Sequence, residues 1–445
     1  MTPGSAITAN QIRQKITLRL VAPIMALTFL NSLDRVNVSF AALQMNADLG
    51  LDAQMYGFGI GLLFFSYLLF QFPHTYLLRR IGARRWIFAA VLSWGCIATA
   101  MTFMQNATQF YALRFLLGIA ESGFAPGIIY YISQWMPRRF RAWAIAGSML
   151  AIPISIIFGG PLSGWLMTMS NSFDISGWRW MFLVEGGLTI LAAFAALRIF
   201  VDTPVEANWL DSGQKQWLLA ELERDKSHTP AGNPEAGIGH LLRNVNVWAS
   251  AGVWFSLMSG AYGIMYWLPQ IIKQLSDAGD FKVSILSALP WIGLGAGMLI
   301  NAWHSDKTQE RYWHIGLPSL IAATGLILGI SVSSDWLALC CLVIGAIGLG
   351  SAQGAFWALP TSFLSGTHAG NGITLINMLG TSGGLITPPV IGWVRVTTGA
   401  FTTAVYLLAG LLMGAAALLM VIYRSNLQHQ SVINAGPAAV AMKKQ

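Results

Sequence analysis

The chain has 445 residues, of which 55% are hydrophobic and 10% are charged, and its mean hydropathy is +0.57. Soluble domains carry about a quarter charged residues, so this composition excludes an ordinary soluble protein and predicts a membrane protein. The formal net charge of +8 is compatible with nucleic-acid binding, so the location of the basic residues must decide between that class and membrane topology.

Twelve apolar segments along the chain are long enough to cross a membrane. A run of about 20 apolar residues spans the hydrocarbon core as a helix. We therefore predict an all-α membrane protein with twelve transmembrane helices, arranged as two pseudo-symmetric bundles of six. The segments are centred near residues 29, 66, 95, 120, 155, 190, 258, 292, 321, 347, 382 and 411.

Most of the 26 lysine and arginine residues fall in the loops on one side of these segments, the side that also holds both termini. Because cytoplasmic loops collect lysine and arginine, both termini are predicted to be cytoplasmic. The positive charge is then a consequence of topology, and no nucleic-acid partner is expected. The first apolar segment lacks a small-residue cleavage site, so we predict a retained helix rather than a signal peptide.

The composition changes in the middle of the chain, where a charged stretch containing glycine and proline replaces the apolar segments. We predict an N-terminal bundle at 1–201, a cytoplasmic linker at 202–246, a C-terminal bundle at 247–423 and a cytoplasmic tail at 424–445. The similar stretches Pro161-Leu-Ser-Gly-Trp and Pro389-Val-Ile-Gly-Trp end the fifth and eleventh segments and indicate a repeat. The linker is predicted to contain a short amphipathic helix, which either lies on the membrane surface or packs on the ends of a bundle.

Four charged residues lie inside the apolar segments, where an ionisable side chain is costly unless it is paired, hydrated and used. Asp34 and Arg35 fall in the first segment, and Arg114 and Glu121 fall in the fourth. Seven residues are nearly two helical turns, so Arg114 and Glu121 share one helix face. Intramembrane charges of both signs indicate ion-coupled transport.

These charges divide into two candidate roles. A guanidinium stays protonated when buried and binds a carboxylate through two parallel hydrogen bonds, so Arg35 and Arg114 are candidates for binding a substrate carboxylate. Structural ion pairing with the two acids is the alternative. Asp34 and Glu121 are candidates for carrying a proton, since burial favours a neutral carboxyl and a nearby arginine favours an ionised one. A substrate anion on the arginine would then promote proton uptake by the acid, so that anion and proton bind cooperatively.

The alternative for either acid is that it only locks two helices together, and we favour such a structural role for Glu185 in the sixth segment. Polar and aromatic side chains at helical spacing would complete a binding site, because such sites are mostly apolar with a few placed polar groups. For each of these, packing or hydrogen bonding between helices is the alternative. The candidates are Tyr67 and Gln71 in the second segment, Tyr262 and Tyr266 in the seventh, Gln353 and Trp357 in the tenth, and Asn377 in the eleventh.

Cys96, Cys340 and Cys341 fall in apolar segments without the spacing of a metal site, and we interpret them as small core residues. No histidine pair has metal-ligand spacing. The run Gly57-x-Gly-x-Gly61 lies in an apolar helix without a phosphate-binding lysine, which excludes a nucleotide loop. We therefore expect neither a metal nor a cofactor, and we find no constellation typical of an enzyme.

Four motifs occur in a fixed order along the chain. They are Asn31-Ser-Leu-Asp34-Arg35-Val-Asn37, Arg114-Phe-Leu-Leu-Gly118-Ile-Ala-Glu121, Ser305-Asp306-Lys307 with Glu310-Arg311, and Phe356-Trp357-Ala-Leu-Pro360 with Leu364-Ser-Gly366. Together, over about residues 16 to 424, the chain resembles the anion:cation symporter family of the major facilitator superfamily, and is similar to its bacterial phthalate, tartrate and hydroxyphenylacetate permeases. The resemblance implies the major facilitator fold, alternating access, and acids that couple proton movement to anion uptake.

The resemblance also implies that Gly82 and Arg84, with Asp306 and Arg311, belong to loops that control the conformation. One departure is visible, because Arg79 stands where the superfamily's loop after the second helix has an acid. The usual pairing of that loop is therefore in question.

We expect a monomeric, multi-pass transporter in the lipid bilayer of a bacterial inner membrane, which imports a small organic carboxylate together with a proton. An aromatic acid such as phthalate or hydroxyphenylacetate is favoured, and sugar acids or hydroxy-dicarboxylates such as galactonate or tartrate are the alternative. The rival classes are a transport-inactive membrane sensor, a membrane-embedded enzyme and a channel.

Overall fold

The computed structural model describes residues 3–169, 174–227, 242–276, 278–364 and 367–434, and most of these are helical. The chain divides into two compact units, Met1–Ala231 with Leu268–Ala288 and Gly232–Trp267 with Leu289–Gln445. The predicted bundle boundaries stay a prediction. Residues 228–241 of the predicted linker and 435–445 of the predicted tail lie outside the described residues.

The first unit contains ten helices, the last of which lies in the predicted linker, together with the residues between Leu268 and Ala288. A π-helical turn, Thr17–Val21, joins the first two helices. The ten are α1 (Pro3–Ile16), α2 (Ala22–Leu49), α3 (Ala53–Ile81), α4 (Ala83–Ala100), α5 (Ala107–Glu121), α6 (Phe124–Trp135), α7 (Arg138–Met149), α8 (Ala151–Met167), α9 (Gly177–Ile199) and α10 (Ser212–Ser227).

The remaining helices follow the linker, and the first two of them contribute residues to both units. They are α11 (Val245–Leu275), α12 (Asp280–Thr308), α13 (Tyr312–Ser331), α14 (Asp335–Phe356), α15 (Ala358–Phe363), α16 (Thr367–Thr381), α17 (Gly383–Thr398) and α18 (Thr402–Asn434).

Within the described residues, ten helical stretches are long and apolar enough to cross a membrane. They correspond to the predicted segments except the seventh and the eleventh. The seventh segment is the 31-residue helix α11, and the eleventh is divided between α16 and α17. The prediction of an all-α membrane protein is confirmed.

Several spans are interrupted near candidate site residues. The fourth span breaks between α5 and α6, directly after Glu121, and the tenth breaks between α14 and α15 at Trp357. The fifth breaks at Leu150 and the eleventh at Ser382. Interrupted backbone at membrane depth is tolerated where protein or a water-filled cavity covers it, and it recurs at transporter binding sites.

Helices α3 and α5 approach each other closely at Gly118. A Cβ at this position would lie 2.1 Å from Ser66 Oγ and 2.2 Å from the carbonyl oxygen of Leu63. Ser66 Oγ also donates a hydrogen bond of 2.8 Å to the carbonyl oxygen of Phe115. Glycine thus allows α5, which carries Arg114 and Glu121, to lie directly against α3.

Replacing Gly118 by alanine is expected to lower the thermal stability of the protein in detergent. The added methyl group would force the α3 and α5 backbones apart, and overpacking of this kind costs about 1–3 kcal/mol. Gly187→Ala is the matched control, because nothing lies within 4 Å of a Cβ built at that position in α9. Equal melting temperatures for the two variants would contradict the packing described here.

The helix predicted in the linker is α10, and it packs against other helices of the first unit. Glu221 pairs with Arg139 at 3.5 Å, and Asp225 Oδ2 accepts a hydrogen bond of 2.6 Å from the backbone N–H of Arg138. Gln214 accepts a 2.8 Å hydrogen bond from Lys15 Nζ. The helix therefore has protein contacts along its length, as in the second of the two alternatives weighed for it.

The interpretation of the three cysteines as core residues is wrong. Cys96 and Cys340 are exposed on the surface of the protein, and Cys341 is half-buried. In a membrane protein the outer surface of a helix is as apolar as its inner face, because it meets lipid rather than water. A small apolar residue in a span therefore does not indicate burial within the protein.

Candidate functional site

The site in the first unit is centred on an ion pair between two spans. Arg35 Nε on α2 lies 2.5 Å from Glu121 Oε2 on α5. The Glu121 side chain is fully buried, whereas the Arg35 side chain is 20% exposed. The guanidinium carbon of Arg35 also lies 4.6 Å from the ring centroid of Tyr67 on α3, within the range of a cation–π contact. Three helices thus hold one guanidinium that remains partly accessible.

Arg114 and Asn31 are two further buried polar residues close to Glu121. Arg114 is fully buried, and Asn31 is 7% exposed. The charge of Arg114 acts on Glu121, which is seven residues later on the same helix, and Asn31 on α2 is close enough to Glu121 for a side-chain hydrogen bond. The Glu121 carboxylate is therefore influenced by two guanidiniums, one of which can be reached from outside the protein.

Asp34 lies next to Arg35 in sequence but contacts a different helix. Successive helical residues differ in direction by about 100°, so the two neighbours meet different helices. Asp34 is 2% exposed, and its Oδ2 accepts a hydrogen bond of 3.3 Å from Thr189 Oγ1 on α9. The charges of Glu121 and Glu185 both act on Asp34. Asp34 therefore interacts with buried acids on two other helices.

Glu185 is the third of these acids and is fully buried on α9. Its Oε2 accepts a hydrogen bond of 3.0 Å from Asn37 Nδ2 on α2, and its Oε1 accepts one of 2.8 Å from Ser163 Oγ on α8. These bonds join three helices, which is the kind of contact expected for it from the sequence. Ser163 and Thr189 were not singled out in the sequence, and Asn37 was named only as the end of a motif, because small polar residues are common in membrane helices.

A separate aromatic cluster lies in the second unit. The rings of Trp254 on α11 and Phe356 on α14 stack with centroids 4.7 Å apart, and the Trp357 ring lies edge-on to Trp254 at 5.0 Å. Trp254 Nε1 donates a hydrogen bond of 3.3 Å to Asn377 Oδ1 on α16. The predicted residues Trp357 and Asn377 thus come together around Trp254, which sequence reasoning missed.

The cluster depends on a glycine one turn after Asn377. A Cβ at Gly380 would lie 2.0 Å from Trp254 Cδ1. A tryptophan in an apolar run is unremarkable by itself. Trp254 is recognised as part of the cluster only from its contacts in the structure, not from its residue type.

The remaining candidates are less closely connected. Gln353 Nε2 donates a hydrogen bond of 3.4 Å to the carbonyl oxygen of Leu257 within the second unit. Tyr266 is fully buried and Tyr262 is half-buried on α11, so their shared helix face is turned inwards. Gln71 is half-buried on α3, one turn after Tyr67. Their assignment to substrate binding stays a prediction.

The predicted conformational loops form compact networks. Gly82 has a φ of +84°, and a Cβ there would lie 2.9 Å from Asp202 Oδ1. The same oxygen accepts a hydrogen bond of 2.8 Å from the backbone N–H of Arg84, whose Nε donates at 2.7 Å to the carbonyl oxygen of Leu197. Asp202 thus provides a carboxylate for this loop, whereas Arg79 lies 5.9 Å from the ring centroid of Tyr130.

The corresponding loop of the second unit contains an ion pair. Arg311 Nη1 lies 2.7 Å from Asp306 Oδ1 and donates a second hydrogen bond of 2.9 Å to Ser305 Oγ. Glu310 accepts a hydrogen bond of 2.9 Å from the backbone N–H of Trp313 in the first turn of α13. Among the described residues, no group of three His, Cys, Asp or Glu side chains is arranged to hold a metal ion.

Comparison with known proteins gives concordant matches over most of the chain. A protein of Agrobacterium vitis named "Putative tartrate transporter" is 40% identical over 416 residues, which cover 94% of this chain and 95% of that protein. The "Quinolone resistance transporter" of Acinetobacter baumannii is 35% identical over 417 residues, with 93% and 95% of the two chains covered.

Solved structures show the same fold. The structure of a bacterial homologue of the human lysosomal transporter Spinster matches with a TM-score of 0.75 at 16% identity, over 92% of this chain and 97% of that one. The D-xylose–proton symporter matches with a TM-score of 0.70 at 15% identity, over 91% and 97%. Residues 24–388 match the family description of the Major Facilitator Superfamily. With this match, and with relatives 35–40% identical along nearly its whole length, the chain belongs to the Major Facilitator Superfamily of multi-pass membrane transporters.

Proposed function

We propose that this transporter imports an organic carboxylate together with a proton, by alternating access, across a bacterial inner membrane. The observation that carries the proposal is the contact between the partly exposed Arg35 and the fully buried Glu121. An arriving carboxylate can replace Glu121 as the partner of Arg35 through charge-assisted hydrogen bonds. Glu121 then lacks its counter-charge in a buried position, and it takes up a proton because an unpaired buried carboxylate is costly.

This exchange makes the binding of anion and proton mutually favourable. Each ligand increases the affinity for the other by the same factor, as thermodynamic linkage requires. Arg35 is the proposed substrate contact. Arg114 is fully buried. Its proposed role is to stabilise the negative charge of Glu121, and it would contact substrate only in other conformations of the transporter.

Small hydroxy-dicarboxylates are the first candidate substrates, because a relative 40% identical to this chain carries a name that includes tartrate. Aromatic carboxylates are the second candidate. The aromatic content of the chain, 12% of its residues, favours an acid with an aromatic body.

Uptake into proteoliposomes tests the proposal. Labelled tartrate, galactonate, phthalate and hydroxyphenylacetate would be offered with and without an inward proton gradient, alongside the uncharged amide of each acid. We expect at least one acid to accumulate only with the gradient, and the amides not to accumulate. Failure of every carboxylate to accumulate, or equal uptake with and without the gradient, would overturn the proposal.

Replacing Tyr67 by leucine is expected to weaken substrate binding, whereas Tyr67→Phe is expected to preserve it. The cation–π contact with Arg35 needs only the ring, and its loss in a desolvated site costs about 1–2 kcal/mol. The KM of the leucine variant should therefore rise about 5- to 30-fold. Equal KM values for the two variants would show that the ring does not position Arg35.

A further inference from the structure

A chain of hydrogen bonds joins the end of α12 to the start of α13 in the second unit, at a loop predicted to be cytoplasmic. Glu310 Oε2 lies 2.8 Å from His314 Nδ1, and His314 Nε2 lies 2.7 Å from Nδ1 of His304. His304 is exposed, whereas the side chain of His314 is 13% exposed and that of Glu310 is 33% exposed. An exposed imidazole therefore connects a largely buried one to the surface of the protein.

The carboxylate of Glu310 determines which nitrogen of His314 carries a proton. Both of its oxygens accept from the backbone N–H of Trp313, at 2.9 and 3.0 Å, and Oε2 also accepts from the backbone N–H of His314 at 3.3 Å. Backbone donors of this kind favour an ionised carboxylate, which can only accept hydrogen bonds. The Nδ1 nitrogen of His314 must therefore carry a proton and donate it to Glu310.

The contact between His314 Nε2 and His304 Nδ1 accommodates one added proton but not two. In the neutral pair, Nδ1 of His304 donates to Nε2 of His314, because His314 already carries its own proton on Nδ1. When one proton is added, one nitrogen of the contact still donates and the other still accepts, and the hydrogen bond becomes charge-assisted. When a second proton is added, two N–H groups face each other, so the contact must break.

The turn that the histidine pair closes also holds the ion pair of the predicted conformational loop, Arg311 with Asp306. Ser305 Oγ donates a hydrogen bond of 2.6 Å to the carbonyl oxygen of Glu310 and accepts one from Arg311. Gln309 has a φ of +56°, which a residue other than glycine rarely adopts, and its Nε2 donates at 2.7 Å to the carbonyl oxygen of Asp306. A change in the histidine contact therefore acts on this turn.

Charges of both signs lie around the histidine pair on its own two helices. Lys307 Nζ is 5.4 Å from the ring centroid of Trp303, and the carboxylate of Asp306 is paired with Arg311. Among the described residues, Glu310 is the one acidic side chain that is hydrogen-bonded to the pair. It is therefore the group that stabilises an added positive charge there.

The helices packed against α12 and α13 bring few further charges. Helix α14 approaches through Ser351, because Asn301 Nδ2 donates both to the carbonyl oxygen of Ser351 and to that of His314. The charged residue of α14 is Asp335, which lies in its first turn, 16 residues before Ser351. Helix α18 also packs against α13, and its ionisable residues are Tyr406, Tyr423, Arg424 and His429.

We propose that His304, His314 and Glu310 form a proton-binding site, in which one added proton is shared between the two imidazoles beside the Glu310 carboxylate. Histidine changes its charge between pH 5 and 8, so the site fills and empties within that range. Two nitrogens bound to one tetrahedral zinc ion lie about 3.3 Å apart, so the 2.7 Å contact fits a proton and not this metal.

The added proton strengthens the connection between α12 and α13, so the site makes the turn with Asp306 and Arg311 sensitive to internal pH. This site lies in the second unit, whereas the proposed coupling acid Glu121 lies in the first. Its effect on transport rests on the proposed function, but the existence of the site does not.

Nuclear magnetic resonance of the substrate-free, full-length protein in lipid vesicles tests the proposal. Histidine side chains are labelled with nitrogen-15, a chelator is present, and spectra are recorded from above to below neutral pH. We expect a scalar coupling between one nitrogen of His304 and one of His314, transmitted through their hydrogen bond. The coupling should persist when the first proton binds and disappear when the second does. Absence of this coupling at every pH would overturn the proposal, and this measurement needs no variant.

Variants assign the signals and test the role of the carboxylate. H304Q and H314Q should each remove the coupling, whereas H74Q, which removes a half-buried histidine of the first unit, should leave it unchanged. In the wild type the two imidazoles should titrate together in two steps, and in H304Q the remaining imidazole of His314 should titrate in one. A titration of His314 that is the same in H304Q as in the wild type would overturn the proposal.

E310Q keeps an oxygen that can accept from His314 but removes the negative charge. We expect the coupling to remain and the midpoint for the first proton to move to lower pH by about 1–2 units, because a charge-assisted hydrogen bond to the imidazolium is lost. An unchanged midpoint would contradict the role of Glu310. Because no substrate is present, these outcomes are independent of gradient-driven uptake, whose failure would instead overturn the proposed function.

Discussion

Replacing Glu121 by glutamine is expected to abolish proton-driven accumulation of substrate while leaving substrate exchange across the membrane intact. Glutamine cannot take up a proton, and it resembles the neutral state that the proposal assigns to Glu121 when substrate is bound. A gradient of one pH unit is worth about 1.4 kcal/mol per proton, or about tenfold accumulation. The variant should therefore show an accumulation ratio of about one under a gradient that drives about tenfold accumulation in the wild type.

The measurement compares net uptake with counterflow in the same vesicles. Glu206→Gln is the matched control, because it removes an exposed carboxyl outside the spans, and it should accumulate substrate like the wild type. Retained tenfold accumulation in the Glu121→Gln variant would assign coupling to other residues. Loss of both counterflow and accumulation, with a normal melting temperature, would show that Glu121 is needed for binding rather than for coupling.

Replacing Arg35 by lysine is expected to raise the KM for the transported carboxylate by about 10- to 100-fold. Lysine keeps the positive charge opposite Glu121, but it lacks the planar fork that binds a carboxylate with two hydrogen bonds and stacks on Tyr67. Each charge-assisted hydrogen bond contributes about 1.5–3 kcal/mol, which sets the size of the expected change.

Arg80→Lys provides the comparison for this substitution, because Arg80 is an exposed residue at the end of α3. Its KM should equal that of the wild type. An unchanged KM for Arg35→Lys would remove Arg35 from the proposed site and favour a purely structural ion pair with Glu121. That structural pairing is the alternative that the sequence left open, and this variant separates the two.

The helices of this protein were predictable because length and apolarity are local properties of a membrane span. The two segments that deviate, the seventh and the eleventh, contain interruptions or polar residues that weaken the hydropathy signal. The cysteines show the limit of such reasoning. Hydropathy places Cys96 and Cys340 in spans correctly, but it does not distinguish the face towards lipid from the face towards other helices.

The charged residues of the site could be predicted from the sequence, but the residues that they contact could not. Asp34, Arg35, Arg114 and Glu121 stand out in the sequence, since ionisable residues at membrane depth are rare. Which helix each side chain meets depends on packing between distant segments. Arg35 and Asp34 are neighbours in sequence, yet one pairs with α5 and the other contacts α9.

The uncharged hydrogen-bond partners of the buried carboxyls could not be predicted from the sequence, for the same reason. Thr189, Asn37 and Ser163 acquire significance only through their contacts with buried carboxyls. Glu185 was interpreted as a structural acid, and its contacts with α2 and α8 fit that role.

Simultaneous measurement of proton and substrate movement tests the central claim most directly. Proteoliposomes in weakly buffered medium, with no imposed gradient, would receive labelled substrate while the external pH is recorded. We predict that the external medium becomes more alkaline as substrate enters wild-type vesicles, and that Glu121→Gln vesicles exchange substrate without this change. Entry of a carboxylate into wild-type vesicles with no accompanying proton uptake would contradict the account.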